Sequence, residues 1–151
     1  GDSRLYRLRA GGLEQLSQDH SFIQEVVDQG FFRSREDARR YGIGDNILTR
    51  ALGSSREVKV HCDLVDTQTG DLFLFCTDGL SSLVPAEWLR QVLIAAADND
   101  LGPAAEALVQ LANERGGSDN ITLVLLRIGE PPQESSPGQE RATSKGGGGS
   151  G

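Results

Sequence analysis

Asp71-Leu-Phe-Leu-Phe-Cys-Thr-Asp-Gly-Leu80 is the stretch from which the rest of this chain can be read. Leu72 to Cys76 is an almost unbroken apolar run. A strand without polar alternation is covered on both faces, so it belongs at the centre of a sheet. Thr67 to Gly70 forms the turn before it. The strand carries Asp78 to its carboxyl end, where Gly79 allows a sharp bend or a close backbone approach. Carboxylates at strand ends suit Mg2+ or Mn2+, which take hard oxygen ligands. An Asp-Gly pair is also the ordinary mark of a turn, and local pattern alone leaves both open.

Working outward, Ile121 to Ile128 is a second nearly all-apolar strand, preceded by Gly116-Gly-Ser-Asp-Asn120. Asp119 is a candidate ligand or a loop residue. The end of one strand and the start of its antiparallel neighbour lie at the same sheet edge, so Asp78 and Asp119 can meet if these strands pair. Arg4 to Arg9 and Leu13 to Leu16 read as two strands joined at Ala10-Gly11-Gly12. Asp2 precedes the first of them. Ile47 to Leu52 and the alternating Val58 to Val65 read as two more strands. Asp19 reads as the cap of a helix that ends at Gly30, and Ser34 with Asp37 as the capping box of a second. Pro85 and Pro103 open two further helices, with Trp88 in the core stripe of the first. The layering is α+β. Two strands buried on both faces need more covering elements than the chain offers. His20 reads as part of a turn, His61 as an outward strand residue, and Arg50 and Arg56 as solvated.

The 151 residues carry a net charge of -7, with 37% hydrophobic and 25% charged residues. That is the composition of a globular domain. The acidic balance excludes a nucleic-acid partner, because phosphate neutralisation needs clustered Lys and Arg. No apolar run approaches the ~20 residues that span a bilayer, so no membrane partner is expected. Cys62 and Cys76 lie in separate runs without zinc spacing, which fits a reducing, cytoplasmic compartment. The 130–151 segment is rich in Pro, Ser, Gly and charge and reads as a disordered tail with a linker-like end.

Gly1-Asp-Ser-Arg4, Asp19-His-Ser21, Leu48-Thr-Arg-Ala-Leu-Gly53, Phe75-Cys-Thr-Asp-Gly-Leu80 and Ser118-Asp-Asn-Ile-Thr122 occur in this order. The set resembles the C-terminal half of the bacterial type 2C, metal-dependent serine/threonine protein phosphatases, over residues 1–129. The resemblance implies part of a four-layer α/β/β/α sandwich whose N-terminal half is missing. It also implies two Mg2+ or Mn2+ ions bridging a water that attacks phosphoserine or phosphothreonine of protein substrates. Asp78 and Asp119 would be metal ligands, Asp2 would serve a third, weaker metal, and residues 19–53 would be a flap beside the site. No side chain is implied as the nucleophile. Two departures stand out. The Asp-Gly-x-Gly-Gly segment is absent, so the expected binuclear centre needs a companion N-terminal half. Arg40-Tyr-Gly-Ile-Gly-Asp45 also replaces the usual His-Pro-containing flap. The alternative expectation is a non-catalytic half-domain that acts as a binding or assembly module in a split or rearranged protein.

Overall fold

The computed structural model describes residues 1–45, 47–53 and 55–130. The tail from 131 onward, with its expected linker-like end, lies outside the described residues.

Four strands form one antiparallel sheet in the order β2-β1-β3-β4, with β1 Arg4–Arg9, β2 Gly12–Gln15, β3 Leu72–Cys76 and β4 Leu123–Arg127. β1 and β2 close through a two-residue turn. Ala10 (φ 48°) and Gly11 (φ 76°) are both left-handed there, which matches the right-handed twist of the hairpin. The β3 strand pairs on both sides, with β1 and with β4, as its apolar run predicts.

On one face of the sheet Tyr6, Leu8, Leu72, Leu74 and Cys76 join Leu89 and Leu93 of α4 (Ala86–Ala96) and Leu108 and Ala112 of α5 (Gly102–Glu114) in a single core. Burial pushes the Cys76 thiol up to about 11. Leu80, on the short α3 (Asp78–Ser81), seals the end of this core. Helices α1 (Phe22–Asp28) and α2 (Arg35–Arg40) make a smaller core of Ile23, Val26 and Ala38. The Ser34 hydroxyl accepts from Asp37 N at 3.1 Å, as the capping pattern predicts.

Several expectations are corrected. Ile47–Leu52 is not a strand: Leu48 makes only an isolated bridge to Ser21. Val58–Val65 is not a strand either, and Val60 and Leu64 are exposed. Its alternation finds no sheet partner, because neither β2 nor β4 pairs with it. His61 therefore faces outward without being in a strand, and Cys62 is exposed and free. Asp19 does not cap α1; the Ser21 hydroxyl accepts from Gln24 N instead. Trp88 lies half-exposed beneath the Arg115 guanidinium, because Leu89 and Leu93 are the residues that α4 turns inward. The β4 strand is not covered on both faces. Val124 and Leu126 are open to solvent together with Phe75 of β3. This is the sheet face opposite the helices, on which Phe73 alone of the β3 side chains is buried.

Asp71, at the foot of β3, is buried against Arg9, with contacts of 2.7 and 2.6 Å. The Arg9 guanidinium, assisted by the Gln68 N–H, holds its carboxyl down at about 2. A depressed carboxylate stabilises the fold above its unfolded pKa and loses that contribution as pH falls through the folded one. Stability should therefore decline between pH ~4 and ~2, and Asp71→Asn should flatten that part of a urea-midpoint profile. An unaltered profile would refute this role.

Candidate functional site

The register of the sheet assembles the site. Arg4 opposes Cys76, and Cys76 opposes Leu123. The start of β1, the end of β3 and the start of β4 therefore share one sheet edge, and the loops bearing Asp2, Asp78 and Asp119 emerge there. Thr77 ties two of these loops together. Its Oγ1 donates to Asn120 O at 3.0 Å and accepts from Thr122 N at 3.1 Å. Gly79 lets the loops touch, since a Cβ at this position would lie 2.3 Å from Asn120 O and 3.3 Å from Asp119 O. Of the two uses expected for Gly79, close approach is the one observed.

Asp2 and Asp78 line one cleft of about 340 Å3, with Ser81 and Ser82 on its rim. Asp119 does not line it. Its carboxylate is exposed and accepts from its own neighbour, Asn120 N, at 2.7 Å. His20 lies nearby, half-buried, with Nε2 3.4 Å from Arg50 Nη1; burial and then Arg50 keep its pKa low.

The rest of the cleft wall is a chain of ion pairs. Arg4 grips Asp19 through Nε at 2.9 Å and Nη2 at 2.7 Å, and donates to the Tyr6 hydroxyl at 3.1 Å. Arg35 contacts the same Asp19 carboxylate and reaches Asp45 at 3.0 Å. Arg39 completes the chain, donating to Asp45 at 2.6 and 2.9 Å. The Asp19 side chain is 1% exposed. Burial opposes its ionisation, but the Arg4 and Arg35 hydrogen bonds outweigh it and hold the carboxyl below its ordinary range. Asp45 is likewise lowered, first by Arg39. None of these five residues was assigned to the site from sequence. One signal was available: Arg4 shares a strand face with Tyr6 and Leu8, and a guanidinium on a buried face requires a carboxylate partner.

The donor chemistry of Asp2, Asp78 and Asp119 fits a hard divalent cation, since all three offer carboxylate oxygens. Asp19 and Asp45 are already committed to arginines. Among the described residues, no three His, Cys, Asp or Glu side chains converge closely enough to hold a metal ion.

Comparison with known proteins agrees with this geometry. The chain is 40% identical over 126 residues to serine/threonine phosphatase stp of Listeria welshimeri, an alignment covering 83% of this chain and 48% of that protein. It superposes on the PPM Ser-Thr phosphatase MsPP of Mycobacterium smegmatis with a TM-score of 0.72 and 36% identity, covering 85% of this chain and 53% of the other. The chain resembles one half of the type 2C (PPM) serine/threonine phosphatases in sequence and in fold. The catalytic domain of the phosphatase PstP, solved with two manganese ions, superposes with a TM-score of 0.72 at 34% identity, covering 86% of this chain and 51% of that one. No family model matches the chain. The chain spans about half the length of the curated relative named here. Among the described residues, no helix is long and apolar enough to cross a membrane.

Gly79→Ala tests the contact on which the phosphatase-like loops depend. The added methyl should cost about 2 kcal/mol of unfolding free energy and displace the Asp119 and Asn120 amide resonances. A neutral substitution with unmoved resonances would contradict the close approach.

Proposed function

We propose that the chain supplies the C-terminal half of a metal-dependent phosphatase that hydrolyses phosphoserine and phosphothreonine in bacterial cytoplasmic proteins. The observation that carries this reading is the shared sheet edge. Antiparallel pairing brings three carboxylate loops to one end of the sheet, beside a cleft walled by arginines. In this reading residues 1–129 are the half-domain and 19–53 its flap. Asp78 and Asp119 would hold the Mg2+ or Mn2+ pair, and Asp2 a third, weaker ion. When bound, such ions would supply a nucleophilic water and offset charge on the phosphoryl group. The chain's own residues do the rest: Thr77 and Gly79 fix the ligand loops against each other, and Arg4 anchors the cleft wall.

The remaining ligands come from a companion N-terminal half carrying the Asp-Gly-x-Gly-Gly segment. Its second sheet would pack on the open face around Phe75, Val124 and Leu126, where Phe75 and Val124 line an apolar hollow of about 270 Å3. Alone the chain is inactive, because two or three carboxylates leave most of an octahedral shell to water. A second reading keeps the family fold without the chemistry, as a binding or assembly module. The lack of a converged three-residue metal cluster among the described residues favours it.

Mixing the chain with such a companion half separates the two readings. The phosphatase reading expects Mn2+-stimulated hydrolysis of p-nitrophenyl phosphate and of a phosphothreonine peptide, lowered more than ~100-fold by Asp78→Asn or Asp119→Asn. A well-formed complex that turns over neither substrate would leave only the binding module.

A further inference from the structure

We infer that Arg35 and Arg39 form an anion seat on the cleft wall, closed here by Asp45, for a carboxylate or phosphate that flanks the phosphorylated residue of a protein substrate. The seat is read directly from the α2 geometry. Naming a phosphoprotein as its occupant rests on the phosphatase reading above.

Arg35 and Arg39 are four residues apart on α2 and so project from one helix face. Both point their guanidinium groups at a single carboxylate, Asp45, in the loop that follows the helix. The two arginines differ in freedom. Arg35 is fixed from behind by the buried Asp19, which Arg4 ties in turn to the sheet edge. Arg39 is held by Asp45 and by a looser contact to Glu36 of 3.5 Å. The Nε of Arg35 is buried without a partner, so its Nη1 and Nη2 are the atoms that reach Asp19 and Asp45.

Asp45 is the weak point of this closure. Its side chain is 45% exposed, as is that of Arg39. Exposed ion pairs contribute little net stability, so replacing Asp45 with another anion costs little. The guanidinium fork binds carboxylate and phosphate in the same planar, two-pronged way. Arg35 and Arg39 line the cleft that contains Asp78. A peptide whose phosphorylated residue is placed at Asp78 would therefore run its neighbouring side chains past the seat. Asp45 acts in this arrangement as a tethered competitor that sets how strongly acidic flanking groups are preferred.

The test is a titration of the full 151-residue chain, without metal, against fluorescein-labelled peptides. One peptide carries a Glu cluster, one a phosphoserine and one Gln at those positions. Asp45→Asn should tighten binding of the Glu or phosphoserine peptide about fivefold and leave the Gln peptide unchanged. Adding Arg39→Gln should abolish the gain, as should about 0.5 M salt. Both positions are exposed, so folding should survive, and the circular dichroism of each variant checks this. Whichever acidic peptide gains more identifies the preferred group. Equal affinity before and after Asp45→Asn, or a gain that survives Arg39→Gln, would overturn the seat. With the companion half added, the ratio of KM for acid-flanked over neutral phosphopeptides should fall in Asp45→Asn, through KM rather than kcat. Absence of all turnover there would defeat the phosphatase reading while the binding titration still decides the seat.

Discussion

Pairing of β3 on both its edges organises everything else in the chain. With β1 on one side and β4 on the other, all antiparallel, the backbone polar groups of Leu72–Cys76 are satisfied and alternate side chains face the helices. The helix-facing side chains Leu72 and Leu74 are fully buried and give α4 and α5 a surface to dock on. The same pairing fixes which ends coincide. Because antiparallel neighbours reverse direction, one edge collects the exit of β3 with the entries of β1 and β4. The loops that carry Asp2, Asp78 and Asp119, far apart in sequence, emerge there together.

What that edge needs beyond the register is closeness and anchorage, and different residues supply them. Gly79 has no side chain at the one position where the β4 entry loop presses against the β3 exit loop. The Thr77 hydroxyl bridges the same two loops. Anchorage comes from Asp19, a buried carboxylate shared by Arg4 of the sheet and Arg35 of α2. A buried charge of this kind is costly unless fully paired, so its two partners are held as firmly as it is. The α1–α2 segment is thereby joined to the edge by charge, while its own small core joins it to itself.

The open face of the sheet completes the picture. Phe75, Val124 and Leu126 form the outer surface of strands whose inner surface is covered by helices. The relatives named above are about twice the length matched by this chain. The proposed companion half would cover that face and bring further ligands to the sheet edge.

From sequence, the apolar run of β3, the hairpin between β1 and β2, the Ser34 cap and the proline-opened helices could all be read, because each depends on local periodicity or turn chemistry, although Gly12 falls in β2 and not in the turn. The ordered acidic motifs also gave the family, and with it Asp2, Asp78 and Asp119 as candidates. The alternation of Val58–Val65 misled, because period two shows that a segment could form a strand but not that a partner edge exists for it. Trp88 misled similarly: a helix stripe gives a direction only to within one residue, and Leu89 took the inward place. Only the tertiary structure could show that Asp19 is a buried ion-pair hub and not a cap, since its partners lie 15 and 16 residues away. It alone placed Asp2 in the cleft with Asp78 and set Asp119 outside it, because the direction of a loop carboxylate depends on backbone contacts that no periodicity records. Local chemistry was legible in the chain; long-range pairing of charges and strands had to wait for the packing that brings them together.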